Sequence, residues 1–294
     1  MCVAAGIGPS KSLLALLFGA QLGGFCTLVG VPTNVFGNEL LVKAGYESFG
    51  LFDITPFGLA LSVVGIVYFA FIGIRLIPDT GFIPEFAQTE RHPLDKRKAA
   101  ISCGTLFGVL LIIAIGPKMV PRHVAAVLGA LIVVATGCMS GKEAIRAIDW
   151  NCALMMGALT VVSTGLNNSG VGKAMADLLM RALGSNPSPY LVASVLFCGT
   201  VILTQFISNT ASILLFMPVA ISMAKTIGIN VHAVGMVIIL AGAACYATPF
   251  AAPQNLMTTG WTKYRFMDFV KAGIPMVLLT YAVVMLLVPV CLKF

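Results

Sequence analysis

The stretch Arg181–Lys225 reads RALGSNPSPYLVASVLFCGTVILTQFISNTASILLFMPVAISMAK, and its 43 interior residues carry no charge. One bilayer crossing takes about 20 apolar residues, so the run is too long for a single span. Ser208-Asn209-Thr210 divides it into two apolar arms, residues 191–206 and 211–224. Arms of about 14 to 16 residues are short for full crossings. The pattern predicts a re-entrant hairpin with its tip near the membrane midplane. Non-helical backbone is tolerated at that depth only where protein buries it or where it lines a cavity. The polar tip is therefore a candidate ligand site.

The rest of the chain agrees with a membrane setting. Hydrophobic residues make up 59% of it and charged residues 10%, against roughly 25% charged in soluble domains. Mean hydropathy is +0.98. Uncharged windows recur at 12–38, 54–74, 99–117, 123–141, 150–172, 182–224, 226–262 and 272–292. Five are near one span in length. The other three (12–38, 182–224 and 226–262) are longer, and each has Gly, Pro or Asn near its middle. Interrupted apolar segments in matching places are the sequence signature of a transporter binding site. The expected class is all-α: a polytopic membrane protein with inverted repeats, a re-entrant hairpin and broken helices, placed as a multi-pass protein in the inner or plasma membrane.

A net charge of +7 raises the question of nucleic acid, but the basic residues are spread over segment ends. Let the loop around 78–98 be cytoplasmic and the spans alternate. Then 11 Lys/Arg face inside (Lys11, Arg75, Arg91, Lys96, Arg97, Lys98, Lys142, Arg146, Lys263, Arg265, Lys271) and seven outside. That bias follows the positive-inside rule, and nucleic-acid binding is not expected. Seven of the eight cysteines lie in apolar windows, with no CxxC spacing. They read as small packing residues rather than disulfides or metal ligands. His92, His123 and His232 fall near segment ends and form no ligand cluster. No nucleophile–base pair or P-loop is present, so the chain does not read as an enzyme.

The chain echoes itself. Gly30-Val31-Pro32-Thr33-Asn34 interrupts an apolar run in the front part, and Ala251-Ala252-Pro253-Gln254-Asn255 does so in the back. Each is followed by an acidic–aromatic element and a glycine that opens the next span: Phe52-Asp53 with Gly58, and Asp268-Phe269 with Gly273. Asp and Gly are five positions apart in both. The expected organisation is 1–77 as the end of a first repeat, 78–97 as an interfacial linker and 98–294 as a second repeat.

A broken helix exposes N–H groups at its positive end and carbonyls at its negative end. One break can therefore hold an anion beside a small cation. The candidates are Gly30–Asn34, Ser208–Thr210 and Ala251–Asn255. Ser208 and Thr204 are four residues apart, so on one helix their hydroxyls would point the same way. Hydroxyl and carbonyl oxygens suit Na⁺, and the Asn209 amide can face an ion and an anion together. A plain helix cap accounts for one polar residue at the tip, but not for three together with Thr204. No Asp, Glu, Lys or Arg lies inside the windows. A neutral core favours ion binding by oxygen dipoles over a carboxylate relay.

These passages resemble the divalent anion/sodium symporters of the ion-transporter superfamily, which carry dicarboxylates, citrate or sulfate. The resemblance rests on Gly23 to Asn34, on Asp149-Trp150 with the 157–172 region, on Thr204 to Pro218, and on Thr248 to Asn255 with Tyr264-Arg265-Phe266. It implies sodium-coupled uptake of a small divalent anion, with Na⁺ as coupling ion, no other cofactor, and a homodimer in the bilayer. Carried over, Thr204, Ser208, Asn209 and the Ala251 carbonyl form one sodium site, and Gly30 serves the other. Asn209, Thr210, Val31, Pro32, Asn34, Ala252, Pro253 and Asn255 would face substrate. Many dicarboxylate members have Thr or Ser where this chain has Val31 and Ala252, so the implied pocket offers backbone N–H groups and two apolar faces. The family's front Ser-Asn-Thr hairpin would precede Met1, so the resemblance is to a C-terminal portion. Two other readings accompany it: an anion permease or exchanger of the same superfamily that is not sodium-coupled, and a transport-incompetent membrane fragment.

Overall fold

A computed structural model describes residues 9–78, 95–115, 122–148, 161, 165, 169, 178, 183, 187–262 and 264–293. Most of the expected linker and the 157–172 region lie outside the described residues. The chain forms two compact units, one from Met1–Ala87 with Leu159–Phe294 and one from Gln88–Ala158. The described secondary structure is helical throughout.

The larger unit contains α1 (Pro9–Gly24), α2 (Pro32–Lys43), α3 (Thr55–Leu76), α7 (Pro189–Thr204), α8 (Asn209–Ile227), α9 (Val231–Gly242), α10 (Pro253–Thr262) and α11 (Phe266–Leu292). Its boundaries follow local chemistry. Four of these helices open on proline, which loses nothing at a position whose N–H has no intrahelical partner. Ser188, Ser208 and Asn230 cap α7, α8 and α9 with their side chains, and Gly228 ends α8 in the left-handed region.

At the centre lies α9, buried along its length except at His232. A helix apolar all round belongs in a core, and 12 residues cannot cross a bilayer. It packs on α2, α7, α8 and α11. His232 sits at its exposed end, where Nε2 lies 2.9 Å from the Glu47 carbonyl. Among the described residues, three helices are long and apolar enough to cross a membrane: α3, α8 and α11. Leu59, Val63 and Ile66 of α3 and Leu278, Leu286 and Val290 of α11 are exposed, as lipid-facing spans require.

The hairpin differs from its expected form. Its arms are Pro189–Thr204 and Asn209–Ile227, so the second is 19 residues rather than 14 and is itself long enough to cross. The charge at Lys225 set too early a limit. Helix continues through it to Gly228, because a cation in the last turn complements the helix dipole.

The internal echo is built in atoms. Asp53 Oδ2 accepts the Gly50 N–H at 2.7 Å, and Asp268 Oδ2 accepts the Arg265 N–H at 2.8 Å, each three residues upstream. A Cβ on Gly58 would overlap the Phe25 carbonyl, and one on Gly273 would overlap the Tyr246 carbonyl. Phe25 stands nine residues before Asn34, and Tyr246 nine before Asn255. Both glycines thus let a span press backbone to backbone against the same point of a break. Gly273→Ala and Gly58→Ala are each expected to destabilise by about 1–3 kcal/mol through overpacking, while Gly19→Ala, with open space around it, is neutral. Thermal midpoints of the purified variants check this.

The smaller unit contains α4 (Lys96–Ile115), α5 (Arg122–Ala135) and α6 (Gly141–Ala147). Ser140 and Glu143 form a capping box at the start of α6. The Ser140 backbone N–H and then its hydroxyl hold the Glu143 carboxyl below the usual range, with a smaller contribution from Lys98.

Candidate ligand site at the hairpin tip and the broken helices

Each interrupted window is a real break: α1 ends at Gly24 and α2 starts at Pro32, and α9 ends at Gly242 and α10 starts at Pro253. The peptide groups between would be costly to leave unpaired. One asparagine serves each break. Asn34 Nδ2 donates to the carbonyls of Gly24 and Thr27, both at 3.2 Å. Asn255 Nδ2 donates to the carbonyls of Cys245 and Thr248 at 2.8 and 2.9 Å. The sequence separations are 10 and 7 residues in both cases. The shared Pro-x-Asn pattern therefore codes for one device used twice.

The two devices differ at their oxygens. Asn255 Oδ1 accepts the Gln21 amide at 2.7 Å, which ties α1 to the back break. Asn34 Oδ1 is buried without a partner among the described residues. Both asparagines are fully buried and tie the backbone of their breaks together.

At the hairpin tip, Ser208 Oγ accepts the Ala211 N–H at 3.3 Å and is the cap of α8. The expected one-turn relation between Thr204 and Ser208 is not formed, because α7 ends at Thr204 and Ser208 belongs to the next helix. Thr204 meets a different partner. Its buried Oγ1 lies 2.8 Å from Asn209 Oδ1 and 2.8 Å from the Gly242 carbonyl. Three oxygens from the hairpin and the end of α9 thus converge, with no charged group among them. Thr210 is half-buried beside Asn209.

Sequence reasoning missed Gln205. It is buried and clamps the tip onto the back break. Its Nε2 donates to the carbonyls of Ala244 at 2.9 Å and Val201 at 3.2 Å. Its Oε1 accepts the Ala247 N–H at 2.9 Å, and its own carbonyl accepts the Thr248 hydroxyl. A large polar side chain beside the Ser-Asn-Thr tip, inside an apolar run, was the available signal, since burial of such a group demands partners.

The other expected residues are distributed unevenly. Ala251 and Ala252 are buried in a small cluster with Cys245. Gly30 and Pro32 are exposed. Val31 is half-buried, and its Cγ1 occupies the space where a Cβ on Gly24 would stand. Pro253 opens α10.

A profile of the CitMHS citrate transporter family matches residues 1–119 and 109–293. The chain belongs to this family. Among curated relatives, it is 29% identical over 186 residues to an uncharacterized transporter, YfbS, of Escherichia coli, covering 63% of this chain and 30% of that protein. It is 26% identical to a probable sodium/sulfate cotransporter of Chlamydomonas reinhardtii over 67% of this chain and 22% of the relative. It is 30% identical to a Na⁺/citrate cotransporter of Rattus norvegicus over 50% of this chain and 26% of the relative. The matched stretches span under a third of these relatives' length. As a member of the citrate transporter family, the chain is a multi-pass membrane protein of a transporter class rather than an enzyme, as its composition and resemblance led us to expect.

Proposed function

We propose that the citrate transporter family member described here takes part in sodium-coupled movement of a small divalent anion such as citrate, sulfate or a dicarboxylate. The observation that carries the reading is the convergence of Thr204 Oγ1, Asn209 Oδ1 and the Gly242 carbonyl at 2.8 Å contacts. Neutral oxygens of this kind suit a weakly held monovalent cation, which must leave as readily as it arrives. Thr204, Asn209 and the Ala251 carbonyl would serve one sodium ion and the Gly30 carbonyl a second. Ser208 would act through the helix start that it caps. Asn209, Thr210 and the N–H groups opening α2 and α10 would face the anion, where two helix dipoles favour negative charge. Val31, Pro32, Ala252 and Pro253 would shape the pocket backbone, and Asn34 and Asn255 would hold it in place. The repeats 1–77 and 98–294 would flank the site, as in other transporters with internal symmetry.

The test is uptake of labelled citrate, sulfate and succinate into vesicles holding the reconstituted protein. Uptake of at least one of them is expected to rise with external sodium and to ignore an imposed proton gradient. Uptake in sodium-free buffer would support the uncoupled permease instead, and no uptake by correctly inserted protein would support the transport-incompetent reading.

A further inference from the structure

We propose that the cationic surface of the 88–158 unit binds the headgroups of anionic phospholipids. In the sequence two basic groups, Lys96-Arg97-Lys98 and Lys142 with Arg146, stand far apart, and the fold brings them together. Helix α4 opens with Lys96-Arg97-Lys98, and α6 carries Lys142 and Arg146 one turn apart. The two groups meet where Cys138 Sγ, just before α6, lies 3.8 Å from the Lys98 carbonyl. Lys98 is also close enough to act on the Glu143 carboxylate. All five cations are exposed.

The two acids among the described residues of this surface, Asp95 and Glu143, are already engaged by backbone N–H groups. Asp95 Oδ1 accepts the N–H groups of Arg97 and Lys98 at 3.1 and 3.3 Å. Glu143 Oε2 accepts the Ser140 N–H at 2.7 Å. Three cations in a first helical turn also oppose the positive end of the helix dipole. The arrangement costs α4 some stability and concentrates positive potential at its end, where an external anion would find no competing acid among the described residues beyond Asp95 and Glu143.

The surroundings identify that anion as a lipid headgroup. Phe107 and Leu111 of α4 and Leu128 and Leu131 of α5 are exposed apolar residues on the same helix pair. Ile145 and Ile148 are exposed beside Lys142 and Arg146. Cations next to exposed hydrocarbon fit the headgroup layer, where lipid supplies phosphate and acyl chain together. An acidic protein would match the charge but leave the isoleucines against water. By the positive-inside distribution, this face meets the cytoplasmic leaflet.

The test measures lipids retained by the full chain in discs of phosphatidylcholine with and without phosphatidylglycerol. The parent protein is expected to prefer phosphatidylglycerol by about ten-fold, and high salt should erase the preference. Lys98→Gln/Lys142→Gln/Arg146→Gln should bring it near unity with an unchanged elution profile. The charge-matched Lys43→Gln/Lys225→Gln/Lys271→Gln variant in the other unit should keep it. Equal loss in both variants, or no preference in the parent, overturns the proposal. So does binding of polyglutamate in detergent without lipid preference, which would make the surface a site for an acidic protein. None of these readouts depends on transport, so failure here leaves the proposed function untouched.

Discussion

Asn209→Ala is expected to reduce sodium-driven uptake at least a hundred-fold while the protein reaches the membrane in normal amount. The substitution removes Oδ1 from the Thr204–Asn209–Gly242 oxygen cluster and takes the amide from the tip of the hairpin. Losing a hydrogen bond to a charged group costs about 1.5–3 kcal/mol, or roughly ten- to hundred-fold in affinity. Here an ion contact and an anion contact would go together. Loss of a cap alone is a smaller effect, about 1 kcal/mol of stability, and the cap of α8 is Ser208 in any case. Ser208→Ala should therefore lower thermal stability with uptake partly kept, which separates the two roles. Asn209→Asp goes further: it keeps an acceptor for the Thr204 hydroxyl and adds a negative charge. It should raise the half-saturating concentration of the anion far more than that of sodium. Uptake above half the parent rate in Asn209→Ala would remove Asn209 from the site.

The sequence showed where helices break because polar and helix-breaking residues are costly at membrane depth, and nothing but a break or a ligand accounts for them. Gly30–Asn34 and Ala251–Asn255 were legible for that reason, and so was the Asp-x4-Gly echo. What each residue does there was less legible. Asn34 and Asn255 read as substrate-facing, yet their amides hold carbonyls seven and ten residues upstream, a relation set by how the broken chain folds back. Thr204 and Ser208 read as neighbours on one helix, because four-residue spacing implies a shared face only while the helix is unbroken. The extent of α8 was misjudged by treating Lys225 as a boundary, although long basic side chains reach the interface from within a helix. Gln205 was passed over because a lone glutamine has no motif. Its role exists only where α7 meets the α9–α10 break, and no local pattern encodes that meeting.

Gln205 carries the last prediction. Its amide nitrogen faces two carbonyls and its oxygen faces one N–H, so no other neutral side chain of that length satisfies the set. Gln205→Ala leaves the Ala247 N–H and the Ala244 carbonyl without this partner in a buried place, at about 1–3 kcal/mol for each unpaired group. The tip would then sit loosely on the break. The half-saturating sodium concentration is expected to rise roughly ten- to hundred-fold, with a smaller change for the anion. Simple misfolding would lower the maximal rate and leave the sodium curve in place. Gln205→Glu gives the sharper outcome. Ionised, the new oxygen stands against the carbonyls of Ala244 and Val201 and repels them. Protonated, it can donate one of the two bonds that the amide gave. Burial and the two carbonyls both favour the neutral acid over the ionised one. Only the protonated form can donate to a carbonyl, so uptake by Gln205→Glu should be closer to the parent rate in acid than at higher pH. Among the described residues the partners of Gln205 are neutral, so the parent protein should change much less over the same pH range. A Glu variant that follows the parent at every pH, or an Ala variant with unaltered sodium affinity, would show that the hairpin is held on the break by other contacts.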